Sequence, residues 1–527
     1  MIYLGLTLFA ALLATLLATP LVRAAARRLG VVDRPDGVRK LHAHEVPLGG
    51  GFAVLIGLVA GTAAVLATSS RWSDALADSG WLLPALLASA VLISLVGLLD
   101  DSFQLRGRQK LAGQVLAVGI LTLSGLVIRE VHVFDWRIEL GLLAVPFTLF
   151  WLLGAINALN LIDGIDGLAS SVGIILSLAV AAMSLLTGHL PEALLATALA
   201  GALAGFLVYN APPASVFLGD AGSMLIGLVV GVLAIRCSLK GPATVALAAP
   251  LALWSIPILD VTMAIIRRKL TGRSIYTSDH GHLHHCLRRR GQSGPQTVVW
   301  IGLLCSLTAG GALASVLFGN ELLAIGTVAA VVGTLIVSRI FGHAEFVLLY
   351  RRARSALVSL ITRRHDHSHP DTATVTRLDG NQHWEAAWEQ LVELAKQQGY
   401  DEIRLNVQAP FLHEDFHALW RQSSRADDDS TWQTELPLVN HRRTICRLTI
   451  RGHRPAGSST DWLHQLADEL KPIERHLQSL LAESAAQHET STQFEHDTTA
   501  DLNTHRIPTP ESPRPLPGTM TGEVAGR

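Results

Sequence analysis

The sequence predicts an all-α polytopic membrane protein of about eleven transmembrane helices, followed by a small cytoplasmic α+β domain and a disordered tail. Three observations lead there. Half of the 527 residues are hydrophobic and only 16% are charged, against about a quarter charged in an ordinary soluble domain. The long apolar runs lie almost entirely before residue 342, and the charge-dense sequence lies after it. Each run also has the length of a bilayer crossing, about 20 residues for a helix. The balance of 42 Lys+Arg against 43 Asp+Glu averages two unlike halves, so it says nothing of partners, and no nucleic-acid partner is expected.

The expected spans are, in order, 2 to 22, 48 to 68, 81 to 99, 111 to 128, 139 to 156, 168 to 187, 191 to 209, 222 to 236, 242 to 264, 297 to 318 and 321 to 341. The first lacks a basic stretch ahead of its apolar run and is long enough to span, so it reads as a helix and not as a cleaved signal peptide. Basic residues stay preferentially on the cytoplasmic side. Arg23, Arg27, Arg28, Arg34, Arg39 and Lys40 follow the first span, and Arg267, Arg268, Lys269, Arg273 and Arg288 to Arg290 follow the ninth. The N-terminus is therefore expected outside, and everything beyond residue 342 in the cytoplasm of a cell whose inner membrane the chain crosses.

Residues 1–345 form the expected membrane core, and 346–371 a basic juxtamembrane linker suited to an anionic leaflet. His365, His367 and His369 beside a proline read as linker. Residues 372–484 read as a small α+β domain: Trp384, Trp388, Leu391 and Ala395 recur at helical spacing, IRLNV and TWQTELPL have strand character, and Cys446, Leu448 and Ile450 alternate. Leu463, Leu466, Leu470, Ile473 and Leu477 predict a closing amphipathic helix. Residues 485–527, rich in Thr, Glu, Pro and Ser, read as disordered. Cys237, Cys286, Cys305 and Cys446 lack metal-knuckle or disulfide spacing and read as free thiols.

On this topology the conspicuous polar stretches share one face. They are DRPDGVRKLHAHEVPLGGG after the first span, LLDDSF after the third, NALNLIDGIDGLAS after the fifth, YNAPPASVFLGDAGS after the seventh and SDHGHLHH after the ninth. Each has a bland role when taken alone. Asp100 and Asp101 fit a solvated helix end, Asp163-Gly and Asp166-Gly fit turns, Asp220 fits a helix cap, and His282, His284 and His285 fit a surface loop. Together the bland roles weaken, because carboxylates at the membrane edge are costly unless paired, hydrated or bound to a cation. Thiolate-free oxygen ligands suit a hard ion such as Mg²⁺, which holds phosphates through one or two carboxylates. Glycines after the acids let a bulky ligand approach the backbone. The residues thus predict a cytoplasm-facing acidic site for a metal and a phosphorylated substrate, and the membrane location predicts that one substrate is a lipid.

Taken together, LLDD, NxxNxxDGxDGLA, VFLGDAGS and the HxHH loop resemble the polyprenyl-phosphate N-acetylhexosamine-1-phosphate transferases over about residues 1 to 345. DRPDGVRKLHAHEVPLGGG and HLHH are similar to the branch that uses UDP-N-acetylglucosamine and undecaprenyl phosphate. The peptidoglycan branch has three consecutive histidines, a set that Leu283 interrupts here, and His280 stands where relatives carry Arg or Lys. The resemblance implies attack of undecaprenyl phosphate on the β-phosphorus of UDP-GlcNAc, giving undecaprenyl-diphospho-GlcNAc and UMP as the first membrane step of a cell-surface polysaccharide. It implies Mg²⁺, with Mn²⁺ as the alternative ion, on Asp220 and Asp101, and catalytic roles for Asp100, Asp101, Asp163 and Asp166. It implies substrate binding by Asn157, Asn160, Asn210, Phe217, His282, His284, His285, Arg39 and Lys40, and a homodimer. The alternatives are another UDP-HexNAc or the phospho-MurNAc-pentapeptide as donor, an ion-coupled transporter, and a membrane sensor.

Overall fold

Glycine, proline and polar breaks between apolar runs set the helix ends. The computed structural model describes residues 1–34, 45–77, 80–134, 136–241, 244–270, 281–347, 349–350, 372–379, 384–409, 414–422, 431–440, 443–453 and single positions from 468 to 479. They fall into two compact units, Met1–Thr362 and Arg363–Arg527.

In the first unit α1 (Ile2–Leu29), α2 (Gly50–Leu66), the short α3 (Ser70–Ala77), α4 (Leu82–Phe103) and α5 (Gly107–Leu123) are followed by α6 (Ala144–Ile162), α7 (Leu168–Thr187), α8 (Leu190–Asn210) and α9 (Gly219–Cys237). Then come α10 (Ala248–Leu253), α11 (Ser255–Leu270), the short α12 (Leu283–Arg289), α13 (Gly294–Phe318) and α14 (Glu321–Val337). Ends are set locally. Ser293 and Gln296 form a reciprocal capping box at α13, and the Asn320 side chain caps α14.

The chain is membrane-integral. Among the described residues, seven of the expected spans are helices long and apolar enough to cross a membrane: α1, α4, α6 with the 3₁₀ turn before it, α7, α8, α9 and α13. The expected second and eleventh spans are the shorter apolar α2 and α14. The fourth begins earlier than expected, as α5. The ninth needs correction, because it is not one helix: α10 ends at Leu253 and α11 begins at Ser255. Pro257 has no N–H to give the carbonyl of Leu253, so a continuous helix would lose a rung there.

α9 lies at the centre, buried along nearly its whole length, and packs against α2, α4, α6, α7 and α8. Such close approach requires small side chains. A Cβ at Gly51 would strike the backbone of Ala221 and Gly222, one at Gly97 that of Asp220 and Ala221, and one at Gly227 would strike α6 at Ala155 and Ile156. Gly201 and Gly205 lie in the same way on the carbonyls of Leu8 and Leu12 in α1. At the end of the bundle away from the acidic motifs, β3 (Glu130–Val133), β4 (Trp136–Glu139), β5 (Leu239–Gly241) and β6 (Thr244–Ala246) form a sheet in the order β4-β3-β6-β5. At the motif end β1 (Val32–Asp33) pairs with β2 (Val46–Pro47).

The second unit is an antiparallel sheet with one described helix. β7 (Thr372–Asp379), β8 (Glu402–Ala409), β9 (Glu414–Arg421), β10 (Thr431–Asn440) and β11 (Arg443–His453) pair in the order β10-β11-β8-β9-β7. Trp384, Trp388, Leu391 and Ala395 of α15 (Trp384–Gln398) share a core with Ile403, Leu405, Val407, Phe416, Ala418, Trp420, Cys446, Leu448 and Ile450. The sequence reading omits β7 and β9. The expected closing helix over 463 to 477, the histidine-bearing linker and the tail lie outside the described residues, isolated positions apart.

Candidate active site

The site is built around the first turn of α9. Gly219 has φ +71, and a side chain there would strike Asp101 Oδ2, so glycine serves both conformation and space. Asp220 next to it donates its backbone N–H to Asp101 Oδ1 at 3.0 Å. A carboxylate at a helix N-terminus is favourably placed for orphan N–H groups and the helix dipole. The other oxygen, Asp101 Oδ2, is buried and has no hydrogen-bond partner among the described residues.

Four helices interlock through side chains here. Lys110, at the start of α5, pairs with Asp100 Oδ2 at 2.8 Å, contacts Asp220 Oδ2 and donates to Asn160 Oδ1 at 3.0 Å. Asn160, near the end of α6, donates in turn to Asp220 Oδ1 at 2.7 Å and to Ser223 Oγ at 3.0 Å. Asp100 Oδ1 accepts the N–H of Leu105 at 2.8 Å, closing the end of α4. Removal of any one of these side chains leaves a polar neighbour unsatisfied.

Asp163 follows α6 on the same side. Burial holds its carboxyl well above the usual range, and the charges of Asp220, Asp101 and Asp166 push it the same way. Gly164 next to it carries the histidine loop, because a Cβ there would overlap His284 Nε2. The rings of His282 and His284 lie parallel with centroids 5.9 Å apart, and those of His284 and His285 are 4.2 Å apart. The loop is anchored on α11. His282 Nδ1 donates to Asp260 Oδ2 at 2.9 Å, and Leu283 N donates to Asp260 Oδ1 at 2.8 Å. A carboxylate can only accept, so it fixes the proton on Nδ1 and leaves Nε2 to face other groups.

Asp100, Asp101, Asn160, Asp163, Asp220 and His284 therefore come to one end of the bundle around one cluster. Others stand apart. Asn157 is paired with Gln114, at 2.9 and 3.2 Å, and with the carbonyl of Leu153. Asn210 is buried, taking a hydrogen bond from Ser170 at 2.8 Å and giving one to the carbonyl of Val216 at 3.1 Å. Asp166 Oδ2 accepts the N–H of Ala214 at 2.9 Å. These last two pin the 211–216 loop, while Phe217 above it is half-buried and bonded by its backbone to Pro47 and Gly50. Arg39, Lys40, Asp279 and His280 lie outside the described residues.

Sequence reasoning missed Lys110, Gln114, Ser223 and Asp260. Lys110 looks like one more basic residue at a cytoplasmic helix end, and Asp260 lies within what reads as a single span; an acid inside an apolar run is itself a signal. Among the described residues no three His, Cys, Asp or Glu side chains form a ready metal cage. Mg²⁺ does not require one, since one or two carboxylates, waters and substrate phosphates suffice. The unsatisfied Asp101 Oδ2 beside Asp220 is a donor set that fits such an ion.

Residues 83–238, which carry all of the cluster except the histidine loop and its anchor, match the model of glycosyl transferase family 4. The chain is 34% identical over 315 residues to a probable undecaprenyl-phosphate N-acetylglucosaminyl 1-phosphate transferase of Bacillus subtilis, covering 59% of this chain and 85% of that protein. It is 32% identical over 373 residues to the decaprenyl-phosphate N-acetylglucosaminephosphotransferase of Mycobacterium tuberculosis, covering 66% and 89%. A phospho-N-acetylmuramoyl-pentapeptide-transferase of Moorella thermoacetica is 33% identical over 317 residues, covering 56% and 93%.

Proposed function

The chain belongs to the polyprenyl-phosphate N-acetylhexosamine-1-phosphate transferases, and on that premise we propose that it moves N-acetylglucosamine 1-phosphate from UDP-GlcNAc to undecaprenyl phosphate. A phosphate oxygen of the lipid forms a bond to the β-phosphorus, the bond from that phosphorus to the bridging oxygen breaks, and UMP leaves. The product, undecaprenyl-diphospho-GlcNAc, would open a cell-surface polysaccharide pathway. The observation that carries this reading is the interlock of Asp100, Asp101, Lys110, Asn160 and Asp220 at the mouths of four helices.

Phosphoryl transfer asks a protein for positioning and charge neutralisation more than for covalent chemistry. Asp220 and Asp101 would hold Mg²⁺, which when bound supplies charge neutralisation to the diphosphate. Asp100 would orient or deprotonate the lipid phosphate. Lys110 keeps Asp100 and Asp220 apart in charge and would turn toward phosphate oxygens when substrate arrives. His284 and His285, set by the turn that Asp260 anchors and by Gly164, would donate to diphosphate or sugar oxygens, and His282, whose Nδ1 proton is held by Asp260, would donate through Nε2 only as the imidazolium. Asp163, Asp166 and Asn160 would keep this frame in place, and Phe217 would stack on the uracil. The basic loops support a site and C-terminal unit on the cytoplasmic side of the inner membrane, with the N-terminus outside.

The test uses purified chain with Mg²⁺, undecaprenyl phosphate and labelled UDP-GlcNAc. Released UMP and labelled lipid are expected. Absence of lipid product with every UDP-HexNAc and with the muramyl pentapeptide donor overturns the reading.

A further inference from the structure

α11 holds the histidine turn at two points on one face, two helical turns apart. The first is Asp260, which takes His282 Nδ1 and Leu283 N. The second is Arg267. Its guanidinium fills the space beside Gly281, where a Cβ would fall on Nη1 and Cζ. Gly281 directly precedes His282, so the position of this guanidinium sets where the turn starts.

Arg267 is itself fixed from elsewhere. Its Nε and Nη2 both donate to Glu345 Oε1, at 2.7 and 2.6 Å. Glu345 lies beyond α14, and the two residues are only 5% and 6% exposed. A buried ion pair adds little stability relative to apolar packing, and its best-attested use is to specify one arrangement among several. Here the arrangement specified is the seat of Gly281.

We infer that Glu345 is a positioning residue for the reaction: by fixing Arg267 against Gly281 it sets where His282, His284 and His285 stand over the acidic cluster. The inference rests on the phosphotransferase reading of that cluster. It makes the stretch after the last apolar helix part of what aligns the donor substrate.

The experiment measures steady-state kinetics of the full chain in detergent with Mg²⁺, undecaprenyl phosphate and UDP-GlcNAc, per folded protein as judged by gel filtration and thermal melting. Glu345→Gln keeps the shape and removes the charge. It is expected to lower kcat/KM for the nucleotide sugar roughly 10- to 100-fold, the scale of an ångström-sized misplacement, with KM for the lipid unchanged. Glu345→Asp should recover part of the loss. Gly281→Ala pushes on the same guanidinium and should reproduce the donor-side defect, and the double variant should lose no more than the worse single one, because both act through one element.

A role confined to stability would lower the yield of folded protein and leave these constants alone. Folded Glu345→Gln with wild-type kcat and KM, or losses that multiply in the double variant, overturns the inference. Should Glu345→Gln fail to fold, wild-type kinetics in Gly281→Ala overturns it as well. Wild-type chain that labels no lipid instead overturns the phosphotransferase reading beneath it.

Discussion

Lys110 ties Asp100 to Asp220. Its ammonium lies 2.8 Å from Asp100 Oδ2 and against Asp220 Oδ2, joining the end of α4 to the start of α9 through a side chain of α5. Replacement by Met leaves the two carboxylates without their counter-ion. Removing one partner of a fully buried pair costs about 3–5 kcal/mol; these groups are half-buried, so the loss falls below that range, and Lys110→Met should melt below wild type in EDTA. Added Mg²⁺ should recover much of that loss, and turnover should be abolished. Equal melting of the two proteins in EDTA would contradict this.

Asp220→Asn keeps the hydrogen bonds to neighbours in part and removes the charge. UMP release should fall roughly 10³-fold, the scale set by loss of a principal charge-stabilising group, while the protein stays folded in detergent. Near-normal release would remove Asp220 from the metal assignment.

Gly164→Ala drives a methyl group into His284 Nε2. Displacement of this ring should cost about 10²-fold in kcat/KM with little change in melting temperature, since Gly164 is exposed. Unchanged kinetics would show that His284 does not need its present seat.

Asp163 predicts a pH dependence. Its carboxyl is raised well above 3.8 by burial and by the neighbouring acids, so the folded chain holds a proton that the unfolded chain releases. Below pH 3.8 the group contributes nothing either way, and stability is lost as pH rises through that value toward the raised one. Asp163→Asn removes this cost. In EDTA the variant should therefore melt higher than wild type at pH 7.5, with the difference shrinking toward pH 4. A difference that does not vary with pH would overturn the assignment.

The first compact unit ends at Thr362, and every assigned group precedes it. Chain ended there should keep most of the transferase activity measured by lipid labelling. Complete loss in a folded, monodisperse truncation would show that the C-terminal unit contributes to the reaction.

Much of this was legible from residue types. Apolar runs gave α1, α4 and α6 to α9, and the acids of the LLDD, NxxNxxDG and GDAG stretches stand at one end of the bundle. What escaped reading depends on partners far apart along the chain. Lys110 carries no local mark that separates it from a topology-setting lysine, and only folding brings it onto Asp100, Asn160 and Asp220. Arg267 looks like part of a basic loop, yet it is buried against Glu345. Phe416, Ala418 and Trp420 alternate toward the core in β9, a strand the sequence reading omits, and its place between β8 and β7 is set by partners distant along the chain. Pro257 likewise marks the break at the start of α11, within an apolar run that reads as one span.

Because α9 is enclosed by other helices along nearly its whole length, the segment that carries Asp220 scarcely meets lipid. Strain from a bilayer that thins, thickens or stiffens falls on whatever hydrocarbon touches, here the outward sides of helices such as α1 and α13, whose Phe9, Leu17, Val299 and Leu317 are exposed. Changes of growth temperature or fatty-acid composition would thus bend the periphery while the chemistry keeps its dimensions.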